Sequence, residues 1–180
     1  MTYPEYVALE RGSETKHEYV NGEVYAMPGG TPEHARLQDR MIQQLGAALA
    51  GRRCELFSSD LRVRIEATGR STYPDVTVVC ERMERARDDD DAVTNPTVVV
   101  EVLSESSEAD DREDKWAHYQ RLASLRHYVL VSQKEARVAV YTRESTGWHY
   151  EDVRDGATVV LSAVDAALQV DALYASALEG

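Results

Sequence analysis

The stretch Pro96-Thr97-Val98-Val99-Val100-Glu101-Val102-Leu103-Ser104 limits the folds open to this chain more than any other. It is a near-continuous run of β-branched and aliphatic residues holding a single carboxylate. Such a run reads as a strand buried on both faces. A carboxylate inside it is costly unless something offsets its charge. A second run of the same kind, Tyr73-Pro74-Asp75-Val76-Thr77-Val78-Val79-Cys80, also carries one carboxylate. Asp75 opens its strand and Glu101 lies near the end of its own. If the two strands are antiparallel neighbours, both carboxylates lie at one end of the sheet and could share a cation. Without one, two close carboxylates repel and one keeps its proton. The plainer reading makes each a strand-end carboxylate facing water.

The rest of the chain supplies the elements around these strands. Thr2 is placed to cap a helix reaching about Glu10. His17 to Met27 reads as two short strands around Asn21-Gly22, a strong hairpin signal. After the loop Pro28-Gly29-Gly30, Thr31 caps a helix with Pro32 at its first position, running to about Ala50. His34, Leu37, Met41, Leu45 and Ala48 share one face of it. Strands are expected near Glu55–Phe57 and Leu61–Ile65. The charged segment from Glu81 to Asn95, with its acidic run Asp88–Asp91, reads as an exposed loop. A helix is expected from about Asp110 to Ala123, with Lys115, Tyr119 and Leu122 on one stripe. Strands at His127–Ser132, Arg137–Thr142, Gly147–Asp152 and Thr158–Leu161 follow, then a helix near Ala172–Leu178. No repeat or linker interrupts the pattern. The expectation is one domain over residues 1–180, of α/β (α+β) class, with a mixed sheet flanked by helices and an N-terminal β-hairpin.

Composition removes some functions. The formal net charge is −12, which argues against a generally basic nucleic-acid-binding surface. It leaves phosphate substrates open, because a divalent cation can supply local positive charge. No apolar run is long enough to span a membrane, and the N-terminus has no signal-peptide pattern. Cys54 and Cys80 read as separate buried thiols in a reducing compartment, which makes the cytoplasm the expected location.

Oxygen ligands such as Asp75 and Glu101 suit Mg²⁺ or Mn²⁺. Lys115, on the inward stripe of the helix after Glu101, could point back to the strand end. It could equally snorkel, or pair with Asp111 one turn earlier. His34 begins the apolar stripe of its helix and could hydrogen-bond near the site or simply pack. Glu18 precedes the hairpin turn and could also be an exposed strand residue. His17, His118, His127 and His149 have no metal-ligand spacing, and no nucleophile motif is present.

Taken in order, these residues resemble the Uma2 family of the PD-(D/E)XK nuclease superfamily. The marks are Glu18-Tyr19-Val20-Asn21-Gly22-Glu23, His34 opening a helix, Tyr73-Pro74-Asp75-Val76, and Val99-Val100-Glu101-Val102-Leu103-Ser104. Asp114-Lys115-Trp116-Ala117-His118-Tyr119 and Ser124-Leu125-Arg126-His127-Tyr128-Val129-Leu130-Val131 complete the pattern. Together they cover the chain from Tyr3 to about Leu173. The resemblance implies a restriction-endonuclease-like core, with Asp75, Glu101 and the carbonyl of Val102 on a divalent metal. The superfamily pattern puts a lysine two residues after Glu101, where this chain has Leu103. The resemblance implies that Lys115, from the next helix, takes its place, and it adds Glu18 and His34 as weaker site residues.

The function this implies is Mg²⁺- or Mn²⁺-dependent hydrolysis of phosphodiester bonds in DNA. The alternatives are a catalytically inactive nuclease-fold module that binds nucleic acid or a protein partner, and hydrolysis of a smaller phosphate compound. A homodimer is expected only by analogy with nucleases that cut two strands.

Overall fold

The structure is a computed structural model and describes residues 1–175. In chain order the elements are α1 (Tyr3–Gly12), β1 (His17–Val20), β2 (Glu23–Ala26), α2 (Pro32–Ala48), β3 (Cys54–Ser58), β4 (Arg62–Ile65) and β5 (Arg70–Thr72). Then come β6 (Val76–Cys80), β7 (Arg85–Ala86), β8 (Asp89–Val93), β9 (Val98–Leu103), α3 (Glu108–Arg112), α4 (Asp114–Tyr119) and β10 (His127–Ser132). The chain closes with β11 (Arg137–Glu144), β12 (Gly147–Arg154), β13 (Thr158–Leu161), a 3₁₀ turn at Ser162–Val164, β14 (Ala166–Gln169) and α5 (Val170–Tyr174).

There are two large mixed sheets where the sequence led us to expect one. The central sheet runs β12-β11-β10-β9-β6-β3, and the second runs β2-β1-β5-β4-β8-β7. Every residue of β9 is buried, as its continuous apolar run requires. On one face of β9, Val98, Val100 and Val102 pack with Leu37, Met41 and Leu45 of α2. On the other, Val99 and Leu103 join Val63, Ile65, Tyr119 and Leu125. Glu101 belongs by alternation to this second face. The second sheet and α4 cover that face, so Glu101 lies between the layers.

β6 and β9 are antiparallel neighbours, with Val76 opposite Val100. Asp75 and Glu101 therefore lie at one end of the pair. The hairpin forms as expected, with Asn21 and Gly22 both at positive φ.

Four further expectations are corrected. Cys54 and Cys80 are joined in a disulfide, because antiparallel pairing of β3 with β6 sets them opposite each other, with Cα atoms 4.0 Å apart. The free-thiol argument for a reducing compartment therefore loses its basis. The segment Glu81 to Asn95 is not a plain loop, since it forms β7 and β8. Within its acidic run Asp89 is buried, taking Arg62 Nε and Nη2 at 2.7 and 2.8 Å and the Tyr3 hydroxyl at 2.8 Å. The helix expected from Asp110 to Ala123 is two short helices meeting at Glu113, where the Tyr128 hydroxyl donates to the Asp111 carbonyl at 2.8 Å. The last helix begins earlier than expected, at Val170, after the unforeseen strand β14. The end of the expected span, 176–178, lies outside the described residues. No helix among the described residues is long and apolar enough to cross a membrane.

Candidate active site

A cleft of about 1420 Å³ opens between the hairpin, the start of α2 and the end of β9. Glu18, His34, Asp75, Glu101, Val102 and Lys115 all line it, so the structure brings every residue expected at the site to one place.

Each arrives for a local reason. Asp75 Oδ2 accepts the Val102 amide at 2.7 Å, just beyond the last pairing of β6 with β9. In a strand the N–H and C=O of one residue point to the same edge. The Val102 carbonyl is therefore directed to the gap that opens where β6 ends. The stripe on α2 sets His34 Nε2 3.2 Å from Asp75 Oδ2, while Gln38 Nε2 donates to the Asp75 carbonyl at 2.8 Å. A Cβ added to Gly30 would lie 3.0 Å from His34 Nδ1, so glycine allows the loop to close on the imidazole. The hydrogen bond to Asp75 raises the His34 pKa despite burial.

Lys115 is buried at the centre. Its Nζ lies 3.0 Å from Asp111 Oδ1, 3.2 Å from Glu18 Oε1 and 3.3 Å from Glu101 Oε1. The Tyr119 hydroxyl donates to the same Glu101 oxygen at 3.0 Å. Burial opposes the charge on Lys115, but the three carboxylates outweigh it and hold the ammonium well above its ordinary pKa. Burial also pushes Glu101 well above the carboxylate range, against the pull of Lys115. Asp111 rises for the same reason. Glu18 is partly buried, which opposes its charge, yet Lys115 and Arg70 bring it below its ordinary value. Lys115 and Arg70 together face Glu18, Glu101, Asp111, Asp110 and Asp114, which leaves the cluster short of positive charge. Lys115 keeps its charge, while burial favours the protonated forms of Glu101 and Asp111.

Three residues of this cluster were not singled out from the sequence. Arg70, 2 % exposed, links the hairpin to both short helices through Glu18 at 2.9 Å, Asp110 at 2.8 Å and Asp114 at 2.7 Å. It sits on a three-residue strand, Arg-Ser-Thr, that has no apolar pattern to reveal it. Asp111 read as the partner in a surface pair, yet it is 1 % exposed. Tyr119 was placed on the inward stripe, but its hydroxyl partner depends on the depth of Glu101.

The donor set suits a hard divalent cation. Asp75 Oδ1 and Glu101 Oε2 accept no hydrogen bond among the described residues, and the Val102 carbonyl adds a third oxygen. Asp111 Oδ1, close to Lys115 but off its hydrogen-bonding directions, is a buried acceptor without a bond among the described residues. Among the described residues no three or more His, Cys, Asp and Glu side chains are grouped to hold a metal. Mg²⁺ needs no such cage, since one or two carboxylates with water and substrate phosphate suffice. The residues fit such an ion at Asp75 and Glu101.

A model of the Uma2 family, "Putative restriction endonuclease", matches residues 3–172. The chain belongs to the Uma2 family. Two uncharacterized proteins of Synechocystis sp. are similar to it. One is 34% identical over 171 residues, 94% of this chain and 89% of the relative, and the other is 32% identical over 143 residues, 79% and 81%. The fold is also that of a crystal structure from Anabaena variabilis titled a "putative nuclease belonging to DUF820". It has a TM-score of 0.76 and 20% identity, with 92% of this chain and 93% of that one covered. This Uma2 chain thus shares its fold with that structure and carries the charged cluster described above.

Proposed function

We propose that this Uma2 protein is a metal-dependent nuclease that hydrolyses phosphodiester bonds in DNA. The observation that carries this is the position of Lys115: its ammonium reaches Glu101 from α4, although Leu103 occupies the position where the superfamily pattern has lysine. Asp75, Glu101 and the Val102 carbonyl would hold Mg²⁺ or Mn²⁺. When bound, such an ion offsets charge on the scissile phosphate and makes a neighbouring water more acidic.

The chain's own groups do the rest. Lys115, held charged, donates to the attacking water or to a non-bridging phosphate oxygen as negative charge builds there. Glu18 and Asp111 hold its ammonium beside Glu101. Arg70 keeps Glu18 in place. His34 braces Asp75 through Oδ2, the oxygen that also accepts the Val102 amide. The two carboxylates that would bind metal are thus positioned by hydrogen bonds rather than left free.

Single- and double-stranded DNA are incubated with Mg²⁺ or Mn²⁺ and the wild-type, Asp75→Ala and Lys115→Ala proteins. Cutting by the wild type, lost at least a hundredfold in both variants with folding retained, is the expected result. Full activity in Asp75→Ala would overturn the assignment. The acidic cleft favours one rival, a module that binds but does not cut. Cation binding without cleavage of any nucleic acid would favour that rival.

A further inference from the structure

We propose that β12 is a self-pairing edge, through which a second copy of this chain extends the central sheet across a two-fold axis at Tyr150. The inference is independent of the nuclease reading.

β12 ends the strand order of the central sheet, and among the described residues it pairs with β11 alone. It is eight residues long and mostly exposed. An edge strand presents unpaired backbone N–H and C=O groups, and proteins usually blunt such edges. The other edges here are short: β3 has five residues and is fastened by the disulfide, β2 has four and β7 two. β12 is longer and has no proline, no lysine and no bulge against β11.

Its side chains suit a self-pairing register centred on Tyr150. A two-fold axis normal to the sheet sets residues of the same face opposite each other, so the register can shift only in steps of two. Centred on Tyr150, the register places Tyr150 against its copy and His149 against Glu151 on both sides of the axis. Trp148 then meets Asp152, and Gly147 meets Val153. No like charges face each other. Centred on Glu151, the same strand would set that carboxylate against itself, which is unfavourable.

A second observation points to the same strand. Tyr150 is 44% exposed, and its ring packs tilted against Tyr141 with centroids 5.0 Å apart. Tyr141 lies 4.3 Å from Trp116, which lies 4.8 Å from Trp148. This half-covered aromatic patch runs out to the sheet edge and stops there. Pairing at Tyr150 joins it to its copy, covering apolar surface in the same step that satisfies the edge backbone.

The test is sedimentation velocity on the full chain at micromolar concentration. The wild type should sediment at twice the chain mass. His149→Asp sets Asp against Glu151 twice and should weaken the dimer at least tenfold. His149→Asp/Glu151→Lys restores opposite charges and should recover it. Tyr150→Cys, mildly oxidised, should give an interchain disulfide on a non-reducing gel, whereas Glu144→Cys should not. A monomeric wild type would overturn the proposal. So would a dimer indifferent to His149→Asp, or one in which Tyr150→Cys fails to cross-link.

Discussion

At Lys115 a single side chain explains why three carboxylates can sit together between two layers. Its ammonium is the shared partner of Glu18, Glu101 and Asp111, and removing it would leave buried like charges facing one another. Lys115→Met should therefore destabilise the fold less at low pH, where the carboxyls are protonated, than at neutral pH; pH-dependent urea unfolding reads this. Gly30 acts by being small. Gly30→Ala sets a Cβ 3.0 Å from His34 Nδ1, so the imidazole must give by a few tenths of an ångström and its contact with Asp75 should loosen. We expect a loss on the order of tenfold in cleavage, with the melting midpoint little changed. His127 gives a pH signature outside the site. It is fully buried, its Nε2 accepts the Ala163 amide at 3.0 Å, and its Nδ1 lies 3.1 Å from Thr142 Oγ1. Burial lowers its pKa from 6.5 to about 4. Between those values the unfolded chain binds the extra proton, so this contribution is complete above pH 6.5 and lost as pH falls toward 4. The loss should be on the order of 2 kcal/mol in urea unfolding and should disappear in His127→Gln.

Among the elements, β6, β9 and β10 were legible in the sequence because burial on both faces demands unbroken apolar runs. The hairpin was legible because Asn-Gly permits its turn, and α2 because its stripe repeats at helical spacing. What escaped had no periodic signal. β5 and β7 are two or three residues long, and β8 hides the inward-facing Asp89 inside a run that looks solvated. The break between α3 and α4 depends on the Tyr128 hydroxyl, which comes from a strand later in the sequence. The site followed the same rule. Asp75, Glu101 and Lys115 could be placed by strand ends and a helical stripe, whereas Arg70 and Asp111 took their roles from tertiary contacts. The Cys54–Cys80 bond spans 26 residues of sequence yet joins adjacent strands, so only the register discloses it. Replacing both cysteines by serine should lower stability by about 3 kcal/mol in denaturant unfolding, while cleavage persists because the bond lies at the far end of β6 from Asp75.

For the whole molecule, the net charge of −12 and the under-neutralised cleft make the same demand: a polyanionic substrate needs added positive charge at the site. Mg²⁺ or Mn²⁺ binding should therefore raise thermal stability, by about 2.7 kcal/mol at a hundred times the dissociation constant, and Asp75→Ala should abolish that gain without DNA present. The two six-stranded sheets hold the halves of the site, with Glu18 and Arg70 on one and Asp75 and Glu101 at the end of the other. Lys115, on the short helix between β9 and β10, closes the arrangement. The most direct measurement of the central claim is DNA cleavage by wild-type and Lys115→Ala proteins in Mn²⁺, with cation binding followed calorimetrically on the same samples. The account predicts cutting by the wild type and none by Lys115→Ala, with the ion still bound in both. Undiminished cutting by Lys115→Ala would contradict it.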